Sequence, residues 1–183
     1  MNFNEFYKGK EIKEFIDSYI SLDIETTGLN PVTDRITEVG AVKIENGVVV
    51  DSFSTLINPT VPIPSDISKL TGIYNEDVMN EKTFEEIASE LYKFIKEGII
   101  LGQNIKFDLS FLYHSFKRCN IELNNDYVDL LTTSRKLSPE LESHRLGKVA
   151  EYLGVSYAGA HRAINDALIT EKCYEIYKNK NND

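Results

Sequence analysis

The segment that most constrains this chain runs from Ser21 to Asn30 and reads S-L-D-I-E-T-T-G-L-N. An apolar lead-in at residues 19–22 precedes Asp23 and Glu25, which are separated by one residue. Side chains alternate between the two faces of a strand, so an extended segment would place both carboxylates on one face, close together. Like charges at such a distance repel unless a cation lies between them. The segment therefore favours a strand that ends at a cation site, and a structural strand end that enters a polar turn is the alternative.

The segments that follow predict a mixed α/β sheet. Strands are predicted over residues 19–25, 35–45 and 48–57, and Asn46-Gly47 between the last two is a strong signal for a type I′ hairpin. Helices and short apolar strands alternate after the hairpin, which is typical of a sheet with helices on both faces. These later elements are helices over 65–70, 84–95 and 108–119, a helical turn ending at Leu137, helices over 146–153 and 161–177, and strands over 99–101 and 126–130.

The length and the absence of internal boundaries predict one main domain. The chain has 183 residues, with no internal repeat and no linker rich in Gly, Ser or Pro. We expect an N-terminal helical extension over residues 1–18, containing a helix at 5–16, and the main domain over 19–177. Residues 178–183, K-N-K-N-N-D, are predicted to be a frayed tail.

The charge and the apolar pattern exclude two classes of function. A net charge of −9 argues against binding of nucleic acid through a broad basic surface. If the substrate is anionic, bound metal must supply much of the attraction, so we predict weak and metal-dependent substrate affinity. No apolar run approaches the ~20 residues that cross a bilayer, and the N-terminus lacks a signal pattern. We therefore expect a cytoplasmic protein with no membrane partner.

Two further acids and a histidine are candidates for the same site. Asp108 stands four residues after Asn104, at the start of a predicted helix beside a strand end, where ligand sites form in α/β sheets. Asp166 has apolar neighbours, so its carboxylate should have a partner or a metal. Positions five apart cannot share one helix face, so His161 meets Asp166 only from a loop before the helix. The alternatives are an ordinary helix N-terminal acid for Asp108 and an ordinary surface histidine for His161.

Four carboxylates and one imidazole match the needs of hydrolysis with two divalent metal ions. Oxygen ligands suit hard cations, which points to Mg²⁺ or Mn²⁺. Two such ions roughly 4 Å apart can stabilise the attacking and leaving oxygens of a phosphoryl displacement. Histidine titrates near neutral pH and is suited to act as the general base.

Five motifs extend over residues 19–174: S-L-D-I-E-T-T-G-L-N-P, R-I-T-E-V-G-A-V, L-T-G-I, G-Q-N-I-K-F-D-L-S-F-L and H-R-A-I-N-D-A-L-I-T. In order and in spacing they resemble the DEDDh family of 3′-5′ exonucleases, the DnaQ-like proofreading group. The resemblance implies an RNase H-like fold, a five-stranded mixed sheet in the order 3-2-1-4-5 with strand two antiparallel. It also implies that two Mg²⁺ or Mn²⁺ ions are held by four acids and that His161 is the general base. The four acids are Asp23, Glu25, Asp108 and Asp166.

The resemblance further implies a site for the 3′-terminal nucleotide. Its members would be the backbone of Thr26, Thr27 and Gly28, with Leu29 against the base and Asn104 and Phe107 nearby. Two positions depart from the family pattern. Gln103 stands where relatives commonly carry histidine, and Asn165 where many carry a second acid. Neither replaces a metal ligand, so we expect changed substrate handling and retained activity.

The favoured function is a metal-dependent exonuclease that releases nucleoside 5′-monophosphates from a free 3′ end of single-stranded or frayed DNA, in proofreading or repair. An RNA-directed 3′-5′ exoribonuclease of the same family is one alternative, because contacts to the 2′-hydroxyl cannot be read from these motifs. A non-catalytic binding or scaffold module is another, although all five functional residues are present. The partner would be a DNA polymerase or another replication or repair protein if the chain is a proofreading subunit.

Overall fold

The computed structural model of the chain describes residues 3–182 and contains one five-stranded sheet. The strands are β1 (Tyr19–Thr26), β2 (Ile36–Glu45), β3 (Val48–Leu56), β4 (Ile100–Gly102) and β5 (Tyr127–Asp129). They lie in the order β3-β2-β1-β4-β5, with β2 antiparallel to both of its neighbours and β4 and β5 parallel to β1. The predicted order 3-2-1-4-5 and the antiparallel second strand are confirmed, and β1 lies at the centre.

The turn between β2 and β3 has the predicted geometry. Asn46 and Gly47 have φ angles of 53° and 74°, the positive values that a type I′ turn requires. Because the turn is so short, it sets the antiparallel register of the two strands.

The described residues form eight helices. They are α1 (Phe3–Phe6), α2 (Ser65–Thr71), α3 (Asn75–Val78), α4 (Phe84–Ile95), α5 (Lys106–Arg118), α6 (Leu130–Leu137), α7 (Leu146–Leu153) and α8 (Ala163–Asn182). Those that pack on the two faces of the sheet include α4 and α5 on one side and α7 and α8 on the other. The short α3 was not predicted from the sequence. No helix among residues 3–182 combines the length and the apolar character needed to span a membrane.

Strand β1 separates two hydrophobic cores. Ile20, Leu22 and Ile24 pack with α4 and α5 on one face, whereas Tyr19 packs with α7 and α8 on the other. This is the period of two that an extended strand imposes on its side chains. Asp23 and Glu25 continue the series of Tyr19 and therefore face α8.

The predicted N-terminal helix over residues 5–16 is wrong. The helix α1 ends at Phe6, and the chain that follows runs beside β5. The Ile12 N–H donates to the Tyr127 carbonyl at 2.7 Å, and the Tyr127 N–H donates to the Lys10 carbonyl at 2.9 Å. Pairing with an otherwise open sheet edge satisfies backbone groups that a helix would have satisfied internally.

The predicted frayed tail at residues 178–183 is also wrong over its described part, because α8 continues to Asn182. The Lys178 side chain is only 9% exposed, and its ammonium lies 3.0 Å from Asp17 and 2.7 Å from Glu175. The first residue of the predicted tail is therefore held against the domain by ion pairs.

Candidate active site

The central strand places two of the predicted acids beneath α8. Ser21 lies two residues before Asp23 on the same face, and its hydroxyl donates to the Ala167 carbonyl at 2.7 Å. That hydrogen bond ties β1 to the first turns of α8. Asp23 and Glu25 therefore project toward the helix that carries Asp166.

Three of the four predicted acids converge. One carboxylate oxygen from each of Asp23, Glu25 and Asp166 lies within 4.8 Å of the others. Asp166 Oδ2 accepts the His161 main-chain N–H at 3.2 Å, but Asp166 Oδ1 is buried and has no hydrogen-bond partner among residues 3–182. A buried carboxylate oxygen without a donor is unfavourable unless a cation coordinates it. The donor set consists of oxygens alone, so these residues fit a hard divalent cation.

Asp108 lies beside this group of three but is not one of its members. It is the third residue of α5, which begins at Lys106, two residues earlier than predicted. Its Oδ1 accepts the Ile24 N–H at 3.1 Å, so one of its oxygens is tied to the backbone of β1. The charge of Asp108 nevertheless reaches Asp23, as the pKa of that carboxyl shows.

The cluster holds more negative charge than its surroundings neutralise. Burial, followed by the charges of Asp108 and Glu25, raises the pKa of Asp23 well above its ordinary value. Burial and the charges of Asp166 and Glu38 raise the pKa of Glu25 to about 7. Burial also raises the pKa of Asp108 and of Asp166. The acids thus resist full ionisation at neutral pH without a bound cation.

His161 lies on a loop immediately before α8, as the spacing to Asp166 requires. It has a φ of 66°, an unusual value for a residue with a side chain. Its side chain is exposed, and its ring lies 6.2 Å from the ring of Tyr157, edge to face. The loop is fastened to the helix by Asn165, whose Nδ2 donates to the Gly159 carbonyl at 2.7 Å. The imidazole is therefore accessible to a substrate beside the acids.

The turn after β1 contains the predicted nucleotide contacts. Thr26 and Thr27 are buried, and the Thr26 hydroxyl donates to the Gly28 carbonyl at 2.6 Å. The Thr27 N–H donates to the Arg35 carbonyl at 2.8 Å, which closes the base of the loop. Leu29, in contrast, is 81% exposed. A rigid turn thus presents one apolar side chain to solvent.

The remaining predicted contacts lie at the junction of β4 and α5. Asn104 has a φ of 56° and donates its N–H to Asp129 Oδ1 at 2.9 Å. The Phe107 ring lies 5.0 Å from that of Phe111. Gln103, one of the two departures from the family pattern, donates from Nε2 to the His144 carbonyl at 2.7 Å, and its Oε1 is buried without a partner.

The prediction from sequence missed two charged residues at this site. Glu38 is buried on β2, and its carboxylate forms an ion pair of 2.7 Å with Arg162, the residue after His161. A signal was present, because Glu38 is an acid within the otherwise mostly apolar strand I-T-E-V-G-A-V-K-I. An acid inside a strand that is covered on both faces needs a partner.

A sheet in the order β3-β2-β1-β4-β5 with carboxylates at the end of the central strand is the arrangement that the resemblance to DnaQ-like 3′-5′ exonucleases implies. Comparison with known proteins agrees with this class. Residues 20–174 match the model of the RNase_T family, described as an exonuclease. This chain belongs to that family.

The relatives place the same domain inside much longer proteins. The chain is 38% identical over 156 residues to the PolC-type DNA polymerase III of Caldanaerobacter subterraneus subsp. tengcongensis, covering 85% of this chain and 11% of the polymerase. It is 36% identical over 154 residues to the 3′-5′ exonuclease DinG of Bacillus subtilis, covering 84% of this chain and 16% of DinG. The chain thus spans only a small part of the length of these relatives.

A solved structure shares the fold. Exonuclease I of E. coli, in complex with a dA16 oligonucleotide, superposes with a TM-score of 0.79 at 20% identity, covering 90% of this chain and 41% of that chain. At this identity the likeness establishes the RNase H-like fold.

Proposed function

We propose that this chain is a divalent-metal-dependent 3′-5′ exonuclease that releases nucleoside 5′-monophosphates from a free 3′ end of single-stranded or frayed DNA. The observation that carries the proposal is the convergence of Asp23, Glu25 and Asp166 within 4.8 Å around a buried Asp166 oxygen that has no donor. Family membership makes phosphodiester hydrolysis the chemistry to test first.

The four acids would hold two Mg²⁺ or Mn²⁺ ions, with Asp108 contributing its second oxygen from the start of α5. When bound, such ions supply the positive charge that stabilises the attacking and leaving oxygens of an in-line displacement. They would also relieve the repulsion from Asp166 and Glu38, which adds to burial in raising the pKa of Glu25 to about 7.

His161 is the general base of this proposal, because it borders the acids and its side chain is exposed. It would take a proton from the attacking water as the new bond to phosphorus forms. The bond between phosphorus and the 3′ oxygen of the preceding nucleotide then breaks, which releases a 5′-monophosphate. The main-chain hydrogen bond from His161 to Asp166, at 3.2 Å, keeps this loop against the acids.

The terminal nucleotide would be bound by the turn after β1 and the start of α5. The backbone of Thr26, Thr27 and Gly28 would contact its sugar and phosphate, and the exposed Leu29 would lie against its base. Asn104 and Phe107 would complete the site from the junction of β4 and α5.

Support for DNA as the substrate comes from the relatives. One is a DNA polymerase, and the solved exonuclease I holds a deoxyadenosine oligonucleotide. By the same comparison, we propose that this domain works in proofreading or repair beside a DNA polymerase or another replication or repair protein. The net charge of −9 means that substrate affinity should depend strongly on metal.

The direct test is digestion of matched single-stranded DNA and RNA oligonucleotides, labelled at either end, with Mg²⁺, with Mn²⁺ and with EDTA. We expect mononucleotides released from the 3′ end of DNA, and no release in EDTA. Faster digestion of the RNA would assign the domain to exoribonucleases. Metal-dependent binding without cleavage would instead indicate a scaffold module.

The site residues are tested by substitution. Asp23→Ala and Asp166→Ala should abolish cleavage while the fold persists, and Asp51→Ala, an exposed acid on β3, is the matched control. His161→Ala should lower turnover by roughly 10²- to 10⁴-fold at neutral pH, the range for loss of a general base. An aspartate variant with more than a few per cent of activity would contradict the assignment, and an unchanged rate in His161→Ala would remove His161 from it.

A further inference from the structure

The buried carboxylate of Glu38, on β2, accepts hydrogen bonds from residues at the start of α8. Glu38 has a side chain that is 1% exposed, and both of its oxygens accept hydrogen bonds. The Arg162 guanidinium donates to Oε1 from Nε at 3.0 Å and from a terminal nitrogen at 2.7 Å, and to Oε2 from Nε at 3.2 Å. The Ala163 N–H donates to Oε2 at 3.0 Å. These donors come from the last residue before α8 and the first residue within it.

The backbones of β2 and α8 approach each other at the next residue on the same face of β2. A Cβ at Gly40 would lie 2.1 Å from the Ile164 nitrogen and 2.3 Å from the Ala163 carbonyl carbon, so the position has no room for a side chain. The first turn of α8 is therefore fixed on the sheet by a close backbone contact at Gly40 and by the ion pair at Glu38.

The fixed residues Arg162 and Ala163 lie between His161, on the loop before α8, and Asp166, in the first turn of α8. His161 is immediately before Arg162, and Asp166 follows three residues after Ala163. A rotation or slide of this turn would move the Asp166 carboxylate relative to Asp23 and Glu25. It would also break the hydrogen bond from the His161 N–H to Asp166 Oδ2.

We propose that Glu38 and Arg162 form a clamp that positions Asp166 for its metal ion and His161 for its proton transfer. The proposal rests on the proposed function and concerns residues that do not touch the metal. A merely structural ion pair could be replaced by apolar residues of similar volume, often with no loss of stability. Here the carboxylate lies within reach of Asp23, Glu25 and Asp166, where its charge is unfavourable, and its acceptor oxygens fix the direction in which α8 starts.

The clamp is tested by the affinity of the full chain for Mn²⁺ alone, measured by calorimetry without substrate, together with thermal unfolding. Glu38→Gln keeps the shape of the side chain but places an amide against donors. It should weaken Mn²⁺ binding by about 10-fold or more, the effect of losing a group that orients a metal ligand. The matched control is Glu45→Gln on the same strand, whose partner Lys43 lies at 3.1 Å in an exposed ion pair. The control should bind Mn²⁺ like the unmodified chain.

Substitutions at Arg162, whose side chain is 50% exposed, test the clamp without opening the core. Arg162→Ala should weaken Mn²⁺ binding as Glu38→Gln does, and Arg162→Lys should restore part of it, because the lysine keeps the charge but not the two-pronged geometry. The double variant should bind no more weakly than the weaker single variant, since the two residues act as one unit. Turnover should fall with Mn²⁺ affinity, with little change in KM.

Two results would overturn the proposal, and they are distinguishable. If the single variants lower the unfolding temperature but bind Mn²⁺ like the unmodified chain, the ion pair is structural and the proposed function stands. If the unmodified chain shows no Mn²⁺ binding that depends on Asp23 and Asp166, the proposed function fails and the clamp fails with it.

Discussion

The two ends of α8 differ in whether their buried charges are paired. At its C-terminal end, Lys178 pairs with Asp17 and Glu175, and the Tyr19 hydroxyl donates to Glu175 at 2.6 Å. At its N-terminal end, Asp166 joins two further carboxylates, and its Oδ1 has no partner. One helix thus carries a charge network that is satisfied within the chain and a second that is not.

This difference distinguishes charges that stabilise the fold from charges that serve the proposed function. Paired charges hold an element in place, whereas like charges that are buried together destabilise the fold and are kept where a ligand compensates them. We therefore expect a substitution at the N-terminal end to remove activity without lowering stability. A substitution at the C-terminal end should lower stability and leave activity unchanged.

Asp166→Asn should produce the largest effect. It removes a charge and one proposed metal ligand while keeping the size of the side chain, so cleavage should fall to background. Without metal, the variant should unfold at a temperature equal to or above that of the unmodified chain, because repulsion with Asp23 and Glu25 is relieved. Parallel activity assays and thermal unfolding in EDTA measure both quantities. A large loss of stability would show that Asp166 is structural.

Lys178→Met, at the C-terminal end of α8, should lower the stability of the chain and leave cleavage unchanged. It leaves Glu175 without its ammonium partner, and we expect a loss of about 2 kcal/mol, below the range for fully buried pairs because Asp17 is exposed. This corresponds to a fall of roughly 4–8 °C in the unfolding temperature for a chain of this size. Cleavage by the folded fraction should be unchanged. Lys180→Met, on the exposed side of the same helix end, is the control.

The pH dependence of stability sharpens the comparison. The pKa of Glu25 is raised from an ordinary value of 4.5 to about 7 in the folded chain. Between these pH values the folded state binds more protons than the unfolded state. The contribution of Glu25 to the free energy of unfolding is therefore fully present below pH 4.5 and is lost as the pH rises through about 7. Without metal we expect a decline of about 1–2 kcal/mol over this window, after allowance for solvent screening. Saturating Mg²⁺ or Mn²⁺ should remove the decline, and chemical denaturation at each pH measures it.

Asn165→Asp should have the smallest effect. The change removes the donor to the Gly159 carbonyl and restores the residue type that many relatives carry. Loss of about one hydrogen bond should lower turnover by roughly 2- to 10-fold and speed amide exchange in residues 159–161. Asn165→Ala removes the donor without adding charge, so equal effects of the two variants would identify the hydrogen bond as the cause. Unchanged exchange in both would show that the loop is held by other contacts.

Gln103 is the other position that departs from the family pattern. Gln103, which stands where relatives commonly carry histidine, donates from Nε2 to the His144 carbonyl at 2.7 Å, and it lies next to Asn104, a residue of the proposed nucleotide site. The expectation that substrate handling changes while the proposed metal ligands remain stays a prediction.

Local patterns in the sequence determined most of the sheet and half of the site. The period of two in Tyr19–Thr26 orients Asp23 and Glu25, and Asn46-Gly47 defines the hairpin. The helix α4 begins after Thr83 and ends at Ile95, as its apolar spacing predicts. Each of these features depends on residues a few positions apart, so side-chain periodicity and turn chemistry are sufficient to specify them.

Tertiary structure decided what depends on distant partners. Residues 10–12 are extended because they pair with the edge of the sheet at Tyr127. The C-terminal end of α8 is held by the ion pair between Lys178 and Asp17, which are 161 positions apart. The pairing of Glu38 with Arg162 joins residues 124 positions apart, and Asp108 reaches the Ile24 N–H across 84. The sequence by itself thus specified which acids and strands were available. Only the packed sheet and helices decided which charges are paired and which are left unpaired, because ion pairs and buried hydrogen bonds form between groups that folding brings together.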